Sequence, residues 1–177
     1  MSNYITTPEA LKAKGSKKTI ALFEELGIMS KIEIEARHEI EVEDYALRIQ
    51  IEGRILGDIA RNHVIPTAIR YQNILIENVQ GLKNIYGTGF KKFSVEQMQL
   101  IEQISEHIAK INKGITDMIE ARKKANKIED AENRAFAYCD EVKPFFQVIR
   151  YHCDKLELLV DEELWPLTKY RELLFTK

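Results

Sequence analysis

Six residues between positions 101 and 118 constrain the fold of this chain more than any other feature. Ile101, Ile104, Ile108, Ile111, Ile115 and Met118 are spaced 3, 4, 3, 4 and 3. A half-buried strand places apolar residues at every second position, whereas this spacing puts all six on one stripe of an α-helix. Sustained threes and fours predict a long helix packed at a shallow angle against its neighbours. A second seam follows the same rule: Tyr138, Val142, Phe145, Ile149, His152, Leu156 and Leu159 are spaced by fours and threes.

Composition agrees with this reading. Gly (8) and Pro (4) together make 12 of 177 residues, roughly half the usual share, as expected of long helices. With 45% hydrophobic and 31% charged residues, a chain of this length can bury roughly 70% of its unfolded surface without covalent staples. Lys+Arg 26 against Asp+Glu 28 leaves a net charge of -2, which gives no bulk attraction to nucleic acid. No apolar run approaches the roughly 20 residues that span a bilayer. The start, Met1-Ser2-Asn3-Tyr4, lacks the basic and apolar regions of a signal peptide. Cys139 and Cys153 fall in one predicted helix, separated by about 21 Å of rise. That is too far for a disulfide, so a reducing, cytoplasmic setting is expected.

Local signals divide the chain. Thr7-Pro8-Glu9 reads as an N-cap, a Pro in the first turn and an acid beside it. Gly15-Ser16 interrupts, and a second short helix is expected from Lys17 to Leu26, stopped by Gly27. Ser30 and Glu33 form a capping box that opens a very long helix. Its expected inward face is Tyr45, Ile49, Leu56, Ile59 and His63, with Ile55 beside them, continued by Ala68, Tyr71, Ile74, Leu75 and Asn78. Pro66 predicts a kink or break over 62–66, because its ring crowds the Asn62 carbonyl. Lys83 to Lys92 reads as a loop, Ser94 and Gln97 as a second capping box, and 122–126 as a turn. Pro144 should bend the last helix near Asp140. The expected fold is all-α: an antiparallel bundle of three to four long helices. Short N-terminal helices occupy 1–29, the bundle 30–160 and a C-terminal tail 161–177, all within one structural domain.

Candidate chemistry is sparse. A di-metal bundle site needs two Glu-x-x-His motifs plus two further Glu residues. Glu35 and His38 supply one motif, but His63, His107 and His152 follow Ala60, Ile104 and Ile149 at the position where the Glu should stand. His38 is expected at the surface or facing a helix, and His63 and His152 on apolar stripes as core residues. Acids beside Cys139 should raise its pKa, which makes it a poor nucleophile. Gly87-Thr88-Gly89 lacks the spacing of a phosphate loop, and Lys17-Lys18, Lys91-Lys92 and Lys123-Lys124 read as solvated surface. No catalytic, cofactor-binding or metal-ligating residue is therefore assigned.

The C-terminal segment stands apart. Residues 154–175, DKLELLVDEELWPLTKYRELLF, join an acidic-apolar helix to a run of large apolar side chains. Exposing those side chains at a terminus is costly, so the segment should dock, either on its own bundle or in a groove of a partner domain. Trp165, Tyr170, Leu173 and Phe175 are the candidate contact residues.

This tail, with its Trp-Pro, Tyr and Leu-Leu-Phe, resembles the C-terminus of type III glutamine synthetases. IEIEARHEIEVEDY at 32–45 is similar to that family's Glu-rich helix, LFEELGIMS at 22–30 to its lead-in, and IQIEGRILGDIARNHVIPTAIRYQ at 49–72 to its long Pro-containing helix. The resemblance runs in order from about residue 16 to 175. His38 stands where an aromatic such as Tyr is expected, and Thr168 where the family tail often has a second Pro.

The resemblance implies a parent enzyme that joins ammonia to glutamate with ATP through a γ-glutamyl phosphate. ATP and Mg²⁺ or Mn²⁺ are expected only in that parent, whose catalytic core lies upstream of the matched region. For this chain it implies a non-catalytic domain with two partners: the catalytic core of the same polypeptide and neighbouring subunits of a homo-oligomer, dodecameric in this family. No nucleic acid or membrane partner is expected. Two other readings compete. One is a stand-alone helical interaction module related to that domain. The other is a metal-dependent bundle oxidoreductase, which would carry bound iron or manganese.

Overall fold

A computed structural model describes residues 3–174, and among them every regular element is helical. The elements are α1 (Thr7–Lys14), α2 (Lys17–Glu25), α3 (Lys31–Ile59), α4 (Ile65–Tyr86), α5 (Val95–Ala125), α6 (Ala131–Ala137), α7 (Pro144–Leu159) and α8 (Tyr170–Leu174). This is the all-α helical bundle expected from the two seams. The chain forms two compact units, one of residues 1–55 with 117–146, the other of 56–116 with 147–177.

Capping explains most helix starts. Thr6, not Thr7, caps α1: its side chain accepts from the Glu9 amide, and the Glu9 carboxylate accepts from the Thr6 amide. Pro8 then sits in the first turn, where its missing N–H costs nothing. Ser16 caps α2, and Gly27 takes the left-handed conformation (φ 64°) after it. Ser30 and Glu33 form the expected box: Ser30 N donates to Glu33 Oε2 at 2.8 Å and Glu33 N to Ser30 Oγ at 3.4 Å. The Ser30 amide and hydroxyl hold the Glu33 carboxyl below its usual range. The second expected box does not form. Buried Ser94 donates instead to the Phe90 carbonyl at 3.1 Å, and Gln97 donates to Asn78 at 3.3 Å.

The two internal prolines are absorbed by the same device. Before Pro66 the chain makes a π-helical turn, Ala60–Val64, and Ile65 N bonds Ala60 O, five residues back. Before Pro144 the turn is Tyr138–Val142, and Lys143 N bonds Tyr138 O. A proline ring in an α-helix collides with the carbonyl four residues earlier and leaves it without a donor. The wider turn displaces that carbonyl, so the helical path continues without a break. At the kink or break expected over 62–66 the chain makes a wide turn, and the bend expected near Asp140 coincides with the second one. Other boundaries also shift. The segment expected as a loop finishes α4 through Tyr86 and then winds a 3₁₀ helix, Gly87–Lys92. Helix α5 runs to Ala125, so the turn follows at 126–129 before Asp130 caps α6.

In the first unit, α1 pairs with α6 through Lys12 Nζ and Glu132 Oε1 at 2.8 Å. Glu43 reaches Arg134 and Gly53 lies against Phe146, so this part of α3 runs parallel to the α6–α7 path. Tyr138 is buried and donates to Asn126 Oδ1 at 2.6 Å. In the second unit, Gln72 donates to Ile101 O at 2.9 Å and to Ser105 Oγ at 2.6 Å. With Asn78 meeting Gln97, this makes α4 and α5 antiparallel. His107 facing His152, and Gly114 against Ile149, make α5 and α7 antiparallel as well.

The two seams supply core residues to each unit, Met118, Tyr138 and Val142 to the first and Ile104, Ile111, Ile115, Ile149 and Leu156 to the second, all of them buried. The inward face of α3 differs from expectation. Val42, Ala46, Ile49, Gly53 and Ala60 point in, while Ile55 and His63 are exposed. Large apolar side chains suggested one path; the helix instead turns small residues inward where neighbours approach closely, as Phe146 does at Gly53.

Candidate docking surface

The C-terminal segment is built around the end of α7. Val160 is buried, and beyond it Asp161 accepts from the Glu163 amide at 2.8 Å. Trp165 N donates to the Asp161 and Glu162 carbonyls, closing a turn. The chain then doubles back, so that Lys169 Nζ reaches the Glu157 carbonyl at 3.2 Å, and Lys169 N donates to Glu172 Oε2 as α8 begins. A cation on a carbonyl of the last helical turn favourably opposes the helix dipole.

The four expected contact residues have different settings. Trp165 is half-buried, and its indole Nε1 is buried with no hydrogen-bond partner. Leu173 and its neighbour Leu174 are 60% and 79% exposed. Tyr170 starts α8, and Phe175 lies outside the described residues. A buried N–H left unpaired costs about 1–3 kcal/mol, and two exposed leucines in sequence add to an unfavourable surface.

A second apolar surface lies on α3 in the first unit. Ile40, Leu47 and Ile51 are exposed at helical spacing on one stripe. Ile40 and Leu47 border an open groove of about 550 Å³ that is also lined by Asp44, Asn126, Arg134 and Tyr138.

Reactive groups are few. Cys139 and Cys153 are free thiols, each half-buried. Burial and then Asp154 push the Cys153 thiol up to about 12, so it stays protonated near neutrality and is a poor nucleophile. The Tyr45 hydroxyl is buried beside Cys139, and burial raises its pKa well above the usual phenol range. The candidate motif of Glu35 and His38 is pulled apart: Glu35 pairs with Lys31 at 3.6 Å, while the half-buried His38 ring lies over Gly15. Among the described residues, no three His, Cys, Asp or Glu side chains form a metal-ligand set.

Sequence reasoning missed one pair. His107 and His152 meet with their Nδ1 atoms 2.9 Å apart and ring centroids at 5.2 Å. One Nδ1 must carry the proton and the other accept it, which a doubly charged pair cannot do. Their positions on or beside the two apolar seams were the only signal. Burial, then the charge His107 can carry, then Lys110 all lower the His152 pKa, against a smaller opposing effect of Glu106. A depressed folded-state value means that the unfolded chain takes up the proton first on acidification. Stability from this group is complete above the ordinary histidine value of about 6.5 and is lost as pH falls through the folded value. The melting temperature should fall as the pH is lowered below about 6.5, and less steeply in His152→Leu. Equal slopes in the two proteins would contradict the assignment.

Fold and surface define an all-α helical bundle with large apolar side chains left on its outside. Residues 1–83 match the family described as glutamine synthetase C-terminal domain. The chain is 42% identical over 178 residues to a glutamine synthetase of Bacteroides fragilis (strain YCH46), and 30% identical over 184 residues to the type-3 glutamine synthetase of Dictyostelium discoideum. Each alignment covers 100% of this chain and 24% of the relative. A glutamine synthetase of Butyrivibrio fibrisolvens is 24% identical over 99% of the chain. The chain therefore spans about a quarter of the length of the curated relatives it matches. Its matches are thus to the C-terminal domain of glutamine synthetases, among them one named type-3. No helix among the described residues is long and apolar enough to cross a membrane.

Proposed function

We propose that this domain is non-catalytic and packs on the catalytic core of a type III glutamine synthetase, where it helps to hold neighbouring subunits together. The complete enzyme would make glutamine from glutamate, ammonia and ATP, in the cytoplasm. ATP and its metal ions belong to the core, outside this chain.

The observation that carries this reading is the unfinished C-terminal segment. Trp165 keeps a buried indole N–H without an acceptor, and Leu173 and Leu174 lie largely in solvent. An apolar surface over the leucines would take them out of water, while the indole N–H, already buried within the chain, would gain an acceptor only if the turn shifted on docking. Aromatic anchors of this kind carry much of the energy at interfaces. Alignment to only a quarter of each relative is consistent with a large remaining surface on which the domain can pack.

The test is deletion of residues 161–177 from the complete protein. Sedimentation velocity should then show smaller assemblies at the same protein concentration. Sedimentation identical to that of the intact protein would sink the assembly role.

A further inference from the structure

The second unit carries another exposed apolar surface where α4 gives way to α5. Tyr86 and Phe93 stack with ring centroids 4.3 Å apart, yet they stay 47% and 49% exposed. Ile85 beside them is 74% exposed. The turn that presents them is firmly built. Gly87 adopts φ 57°, a 3₁₀ helix follows, and buried Ser94 ties back to the Phe90 carbonyl. Rigid exposed aromatics lose little entropy on binding, which makes them good anchors. Charge around the tip is one-sided: residues 78–101 hold Lys83, Lys91 and Lys92 against one acid, Glu96.

The opposite character appears at the end of α7. Residues 156–168 contain Glu157, Asp161, Glu162 and Glu163 and no basic residue. Leu158, in the last turn of α7, is 78% exposed, and Asp161 and Glu163 are exposed beyond it. Helices α5 and α7 are antiparallel, with His107 opposite His152. The end of α7 therefore lies toward the same end of the unit as the start of α5. One end thus carries both a basic aromatic tip and an acidic apolar turn.

We propose that this end is a self-complementary docking surface whose occupant is a second copy of the chain. A two-fold pairing sets the Tyr86–Phe93 tip of each copy on the Leu158 and Asp161–Glu163 turn of the other. An isologous contact uses each complementary pair twice, so one lysine cluster meets one acidic cluster on both sides of the axis. Opposite charge selects this pairing over tip against tip, where the lysines would repel. The patch is small, so the dimer is of the weak class and loosens with salt.

The charge pattern gives a direct test on the 177-residue chain by sedimentation velocity over a range of concentrations. The unaltered chain should show a concentration-dependent dimer that weakens between roughly 0.05 M and 0.5 M salt. The double variant Lys91→Glu with Lys92→Glu, and the double variant Asp161→Lys with Glu163→Lys, should each lose on the order of tenfold in self-affinity. Mixing the two variants should restore the dimer, because both contacts then join opposite charges. All the substituted residues are exposed, and circular dichroism checks that each variant is folded. A chain that stays monomeric throughout, variants that dimerise like the parent, or a mixture that stays monomeric would each overturn the proposal. Lys91 and Lys92 lie outside residues 161–177, so the outcome for the Lys91→Glu, Lys92→Glu variant is separable from the packing of the Trp165 segment on the catalytic core.

Discussion

Replacing Ile111 with alanine should lower the stability of the chain by about 2–5 kcal/mol. Ile111 sits in the middle of the α5 seam with none of its surface exposed, in the same stripe as the equally buried Ile104 and Ile115. Shortening it loses the transfer free energy of three carbons and leaves a cavity that antiparallel helices cannot fully close. Alanine has the better helix propensity, but that gain is under about 1 kcal/mol and does not offset the cavity. Denaturant titration or calorimetry checks this, with a fall in melting temperature of roughly 5–15 °C for a chain of this size. A fall of only a degree or two would mean that the seam is not the centre of the core.

Gly53→Leu should destabilise the first unit by about 1–3 kcal/mol, although glycine is a poor residue for the interior of a helix. A Cβ at position 53 would lie 3.2 Å from Phe146 Cε1 and 3.4 Å from its Cζ, with Met118 Sδ at 3.6 Å. A single methyl needs the ring to give by a few tenths of an ångström. An isobutyl group has nowhere to go, because Gly53 is buried and the ring edge faces it. Two effects compete. Helix propensity favours leucine by less than about 1 kcal/mol, and overpacking opposes it by more. Gly114, whose Cβ would meet Ile149 Cγ1 at 3.1 Å, provides the same close approach in the second unit. A stabilised Gly53→Leu protein would show that α3 and α7 are not as close as described.

Which features were legible in the sequence follows from what periodicity measures. The α5 and α7 seams were readable because large aliphatic residues recur there with no competing pattern, and those residues are the core. The face of α3 is legible only in part: Ile49 is buried as expected, but several of its inward neighbours are small. A reading weighted by side-chain size passes over Ala46, Gly53 and Ala60 and selects Ile55 and His63, which are exposed. Pro66 and Pro144 announced a disturbance, but not that a wide turn would carry the helix through it. Of the expected contact segment, Trp165-Pro166 and the two leucines were visible as costly apolar residues. The unpaired indole N–H was not, since it depends on how the chain folds back to place Lys169 against Glu157. The His107–His152 pair was hidden for a similar reason: neither residue signals, within its own helix, which residue faces it.

The central claim is that this helical domain completes its C-terminal segment by packing on the rest of the enzyme. Amide hydrogen exchange, measured on the complete protein and on the 177-residue chain side by side, tests it most directly. Protection along the α5 seam should match in both samples, and exchange over 161–174 should be markedly slower in the complete protein alone. The same exchange over 161–174 in both samples would contradict the claim.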